Sequence, residues 1–141
     1  MDGKDPREVI AILRDQRHQY TERMIDDPTA QALAIFVTRG QVDMDRYIDR
    51  QSGTFRGEPR HGVAFFQTIC AMCHGLDGMK INFGTVDAPE YLGAVAKTNP
   101  WEALHEIRNG HPGKDMVSMR AVDIQTQVDI LSYVQTLPTR K

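Results

Sequence analysis

Cysteine is scarce in this chain, and long apolar runs are missing altogether. Two cysteines occur in 141 residues, both within one short stretch at positions 70 to 73. They cannot staple distant parts of a fold, which excludes a disulfide framework and leaves them a local task. No apolar run approaches the roughly 20 residues needed to cross a bilayer, and the opening Met1-Asp2-Gly3-Lys4-Asp5 lacks the apolar core of an export signal. Charge of one sign is missing too. With 17 Lys and Arg against 19 Asp and Glu, the chain carries no nucleic-acid footprint, and 40% hydrophobic residues exclude a disordered composition. There is no low-complexity stretch and no strong internal repeat. What remains suits one ordinary domain, or a domain of about 80 to 90 residues with an N-terminal extension.

Helix punctuation is clearer than strand alternation. Asp5-Pro6-Arg7-Glu8 supplies an N-cap, a proline at the first helical position and an acid at the third, which predicts a helix over 6–25 with Val9, Ile10, Leu13, Tyr20 and Met24 on its apolar stripe. Asp27-Pro28 restarts the pattern ahead of Leu33 to Val37, with Gly40 as the stop. A short amphipathic piece follows around Met44 to Ile48. The turn formers from Gln51 to Pro59 predict a linker, dividing a helical extension at 1–55 from a domain at 56–141. Beyond it, one helix is expected from about Arg60 into the cysteines. A second opens at Asn99-Pro100-Trp101-Glu102, a capping-box pattern, and ends at Gly110. A third runs from Asp123, burying Ile124, Val128, Leu131 and Val134 before Pro138. The glycine-rich stretch from Gly75 to Gly93 reads as loop.

Chemistry concentrates in Cys70-Ala71-Met72-Cys73-His74, the C-x-x-C-H signal for covalent haem attachment. Thiols three residues apart on one helical turn reach both vinyl groups on one haem edge, and the adjacent histidine turns its imidazole towards the iron. C-x-x-C also serves zinc sites and dithiol redox centres. Zinc needs two further ligands, for which His105 and His111 are available, although their separation is not the usual finger spacing. A thioredoxin-like centre needs a βαβ context that this helical pattern does not offer. Inert cysteines are the remaining alternative.

The wider pattern resembles a class I c-type cytochrome over about residues 59–138. Gly62-x-x-x-Phe66-x-x-x-Cys70 leads into the motif, Ala88-Pro89-Glu90-Tyr91-Leu92-Gly93 is similar to the family's proximal loop, and Ile107-Arg108-Asn109-Gly110-His111-Pro112-Gly113 precedes a methionine. Val128 to Pro138 is similar to the family's last helix. The resemblance implies an all-α class I cytochrome c fold carrying an additional helical N-terminal extension. It also implies that Gly62 and Phe66 pack where the first helix of that fold crosses the last near Tyr133, and that the Pro89 carbonyl accepts the ring N–H of His74, which would make the ligand nitrogen more basic.

By the same resemblance, Met116 stands where the family's sixth ligand stands, a soft thioether that raises the reduction potential relative to a second histidine. Val117 follows it where proline is common, so Met119 on the same loop is a competitor. His111, Met79 or an open site are the other choices. Trp101 and Arg108 could hydrogen-bond haem propionates, although capping and surface roles account for them equally. His18, His61 and His105 are left outside the site, and Met24 and Met72 read as packing residues.

These features together predict a single-haem electron carrier rather than an enzyme. It would use haem c with iron held by His74 and Met116, and would meet redox partner proteins at an exposed haem edge. Alternatives are a haem subunit of a larger oxidoreductase, a gas- or peroxide-binding module, and a zinc-binding domain. Haem of this kind is attached after export, so a periplasmic or other extracytoplasmic location is expected, with a leader removed or a longer parent protein. Residues 32–40 with Met44 weakly echo 103–110 with Met116. Two unrelated amphipathic helices explain this more simply than a degenerate second cytochrome half. The expectation for the extension is that it packs on the haem domain or presents a partner surface.

Overall fold

A computed structural model of the chain describes residues 5–111 and 113–140, with Arg39 described by its backbone alone. Residues 1–4, and Pro112 of the expected turn, lie outside the described residues. The described residues are helical, without a strand, and form two compact units, 1–43 and 44–141.

In the first unit, α1 (Pro6–Arg14) is capped by the Asp5 carboxylate, which accepts from the Arg7 N–H. The predicted helix over 6–25 stops eleven residues early. Asp15 ends it: its carboxylate accepts from the backbone N–H groups of Arg17 and His18, an alternative that a helix interior does not offer. The Arg14 guanidinium then donates to the carbonyls of Tyr20 and Ile25, both at 2.8 Å. Tyr20 and Met24, expected on the apolar stripe, are exposed. α2 (Asp27–Ile35) starts at the expected Asp-Pro pair, with Asp26 accepting from the Thr29 N–H, and continues as a π turn over Phe36–Gly40. α1 packs on α2. The echo between 32–40 and 103–110 does not extend to local structure, since the first stretch ends in a π turn and the second is regular α-helix.

The second unit begins with a 3-10 turn at Met44–Arg46. The stretch from Gln51 to Pro59, read as a linker, is packed into this unit. Asp49 accepts from the N–H groups of Gln51 and Ser52, and Phe55 pairs with Ile48 across an isolated bridge. Both side chains are buried, and the Gln135 side chain bonds Phe55 N–H, Gly53 C=O and Ala96 C=O. Turn-forming composition reads as a linker, and the Phe55 anchor that ties the stretch into this unit shows only in three dimensions. α3 (Pro59–Phe65), a π turn (Phe66–Cys70) and α4 (Ala71–His74) then form one continuous helical segment. α5 (Leu92–Thr98) follows a long loop, α6 (Pro100–Asn109) starts at the expected Asn99 cap, and α7 (Ile124–Val134) at the expected Asp123 cap.

α5 went unread in the sequence because Gly93 suggests loop. The glycine serves close approach instead: a Cβ there would lie 2.6 Å from the Leu137 carbonyl oxygen. The same device sets the main crossing. α3 packs on α7, and a Cβ on Gly62 would lie 2.1 Å from the Asp129 carbonyl oxygen, so only glycine lets the two backbones meet. One turn later the Phe66 and Tyr133 rings meet at 5.3 Å and 59°, within the favourable range for tilted aromatic pairs. Phe66, Leu104, Val128 and Ile130 are fully buried around this crossing.

Gly62→Ala should therefore cost about 3 kcal/mol or more, because neither backbone can retreat without disturbing the core. Denaturant unfolding of the haem-loaded protein measures this, and a loss under about 1 kcal/mol would contradict the crossing geometry.

Candidate functional site

The helical segment from Pro59 to His74 delivers the C-x-x-C-H motif to the end of a packed element. Its π turn closes with the Ala71 N–H on the Phe66 carbonyl, and the Thr68 hydroxyl donates to the Ala64 carbonyl at 2.8 Å. Gly75, at φ 81°, stops the helix directly after His74. The carbonyls left over at a helix end need partners, and Lys80 supplies two: its N–H bonds the His74 carbonyl at 3.0 Å and its ammonium the Met72 carbonyl at 2.8 Å.

The two cysteines form no disulfide with each other, and Cys70 is half-buried while Cys73 is exposed. Burial, with a smaller contribution from Cys73, pushes the Cys70 thiol up to about 11. His74 is half-buried, and burial lowers its pKa, so the ring is held neutral with a lone pair available for a metal. Its Nδ1 is buried without a hydrogen-bond partner, so the expected bond to the Pro89 carbonyl is not made. Pro89 itself is exposed, in the loop that passes His74.

That loop is organised by two residues the sequence reading missed. The Asn82 carboxamide accepts from the N–H groups of Gly84 and Glu90, at 3.0 and 2.9 Å, and donates to the Thr85 carbonyl. The Phe83 N–H bonds the Glu90 carbonyl at 2.8 Å, closing a hairpin-like turn, and the Phe83 ring stacks on His74 at 6.1 Å and 30°. The available signal was an Asn-Phe-Gly sequence, a turn former and an aromatic set in an otherwise small and polar loop.

On the other loop, Met116 is half-buried and packs against the core, whereas Met119 is a core residue, 8% exposed. Buried Gln127 holds the Met119 carbonyl at 3.0 Å. Gly110, at φ 75°, lies so close to the Met116 carbonyl oxygen that a Cβ would sit 2.7 Å from it. His111 pairs through Nδ1 with Glu106 at 2.7 Å, and the His105 ring with Asn109. The Trp101 indole N–H donates to Asp45 at 3.1 Å, so it is committed within the fold. Arg108 is half-buried and its carbonyl accepts from the Ser118 hydroxyl. Met79 is half-buried, its N–H on Asp77.

Among the described residues, no three His, Cys, Asp or Glu side chains converge on a metal-binding group, and neither His105 nor His111 joins the cysteines in one. Ile69, Met72, Leu76, Ile81 and Phe83 are exposed apolar side chains on and after the motif helix. Two thiols and an imidazole among apolar side chains fit a largely apolar haem, the thiols as attachment points for its vinyl groups and the imidazole as a ligand for its iron.

The cytochrome c family model matches residues 60–138, more than half of the chain, and the chain belongs to the cytochrome c family. Covalently bound haem c and haem-based electron transfer come with that membership. Neither the curated proteins nor the solved structures compared with the chain gave a match. No helix among the described residues is long and apolar enough to cross a membrane.

Asn82→Ala should free the loop that carries Phe83 and Pro89. Hydrogen exchange at the Gly84 and Glu90 amides is expected to rise about tenfold while α7 amides keep their protection. Unchanged exchange at both amides would remove Asn82 from this role.

Proposed function

We propose that this chain is a monohaem electron carrier working in an extracytoplasmic compartment, most simply a periplasm, with His74 and Met116 as axial ligands. The observation that carries this reading is the placing of Cys70, Cys73 and His74 at the end of one helical segment, inside the region matched by the family model. The two cysteines of the motif are the only ones in the chain, enough for one haem attached in this way. Cys70 and Cys73 would hold the haem by adding their thiols across its vinyl groups, sulfur to one carbon and hydrogen to the other, with no net oxidation.

When bound, the haem supplies a one-electron iron couple. The protein's own residues do the rest. His74, held neutral by burial, offers a ring nitrogen while the Phe83 ring limits its rotation. Met116 would offer a thioether from a loop tied to α6, and retaining both ligands in the two oxidation states would keep reorganisation small. Two observations favour Met116 over Met119: Met119 is enclosed in the core, and its backbone is fixed by Gln127 and by the Ile107 carbonyl. For Arg108, a propionate contact is compatible with its half-buried position. For Trp101, such a contact would compete with Asp45. The exposed apolar side chains of Ile69, Met72 and Leu76 suit a transient partner interface of modest area beside the haem edge. Such a carrier could also serve as the haem subunit of a larger oxidoreductase, which copurification from the native host would reveal.

Absorption spectra of the ferric protein and its variants test the ligand assignment. Met116→Ala should lose the weak long-wavelength band of an iron–sulfur(methionine) bond and lower the midpoint potential. Met119→Ala should keep the band but lose about 2 to 4 kcal/mol of stability as a core truncation. The reverse pattern would assign the ligand to Met119.

A further inference from the structure

α6 ends with backbone carbonyls that have no partner within the helix, as every helix does. Here they are taken by the far end of the loop that carries Met116. The Gly110 N–H bonds the Glu106 carbonyl at 2.8 Å in ordinary helical fashion. The next two carbonyls are reached from residues beyond Met116: the Met119 N–H bonds Ile107 at 3.0 Å, and the Ser118 hydroxyl bonds Arg108 at 2.7 Å. The last residue of α6 is joined through its side chain. The Asn109 carboxamide oxygen accepts from the Arg120 guanidinium at 3.0 and 2.7 Å, while its NH2 donates back to the His105 carbonyl at 2.9 Å. Gln127 of α7 fixes the same strand of loop from below, at the Met119 carbonyl.

The loop is thus closed at its base by two kinds of contact. The Met119 and Gln127 contacts are part of the buried core, and opening them would disturb α7. The Ser118 and Asn109 contacts lie at the surface, outside that buried core. Val117, between Met116 and the Ser118 anchor, is exposed, so no apolar burial of that side chain holds this stretch shut.

The geometry points to Ser118 and Asn109 as positioning residues, a latch that holds the Met116 loop closed and so sets how readily an outside nitrogen ligand replaces Met116. This rests on the Met116 reading above. A ligand that needs the open loop binds with an apparent affinity reduced by the fraction of molecules that are open. Removing either surface bond raises that fraction, and one hydrogen bond of ordinary strength corresponds to roughly a fivefold to tenfold change. Neither residue has to touch the haem for this to hold.

The test is titration of the ferric, haem-loaded protein with imidazole, for wild type, Met116→Ala, Ser118→Ala, Asn109→Ala, Ser118→Thr and a control, Thr98→Ala. The control removes a comparable hydroxyl-to-carbonyl bond on α5, at Ala94. Ser118→Ala and Asn109→Ala are expected to bind imidazole roughly fivefold to tenfold more tightly than wild type, with Ser118→Thr and Thr98→Ala close to wild type. If the methionine band depends on Met116 but the two latch variants bind no more tightly than Thr98→Ala, the latch is overturned. If Met116→Ala leaves the band unchanged, the ligand reading fails and the latch falls with it.

Discussion

The approach of α3 to α7 at Gly62 is the constraint on which the haem unit depends. α3, its π turn and α4 are one continuous segment, so the contact that seats Gly62 on the Asp129 and Ile130 backbone also fixes the direction in which Cys70, Cys73 and His74 are presented. Phe66 against Tyr133 sets rotation about that contact, because it fills the space one turn further on. Any side chain at residue 62 pushes the helices apart and moves the motif with them. Position 62 therefore governs a site it never touches.

From that segment the chain builds two loops by one physical rule, that the last carbonyls of a helix must find donors outside it. After α4, Lys80 returns to cap the Met72 and His74 carbonyls, which turns the chain back into the loop organised by Asn82 and Phe83. After α6, Met119 and Ser118 return to cap Ile107 and Arg108, which closes the loop carrying Met116. Each ligand candidate is thus held by the backbone chemistry of a helix end. Neither loop depends on a disulfide.

Much of this was legible in the sequence because the signals are local and stereochemical. Asp-Pro and Asn-Pro pairs located the starts of α2 and α6, Asp123 the start of α7, and Gly110 the end of α6. What escaped depends on particular side-chain and backbone contacts, near or distant in sequence, that helix punctuation does not encode. α1 ends at Arg14 because the Asp15 carboxylate accepts from the Arg17 and His18 N–H groups and Arg14 reaches forward to Tyr20 and Ile25. Residues 51–59 look like a linker until Ile48 and Gln135 are seen to hold Phe55. Gly93 reads as a breaker until the Leu137 backbone lies against it. Phe83 carried no motif at all, since its part is defined only by the ring of His74.

The most direct measurement is the mass of the denatured polypeptide, purified from a host that matures c-type cytochromes after expression with an export signal. One haem per chain retained through denaturation, and lost when Cys70 and Cys73 are both replaced by alanine, is the result this account predicts. A chain recovered at its bare polypeptide mass, or one that releases its haem on denaturation, would contradict it.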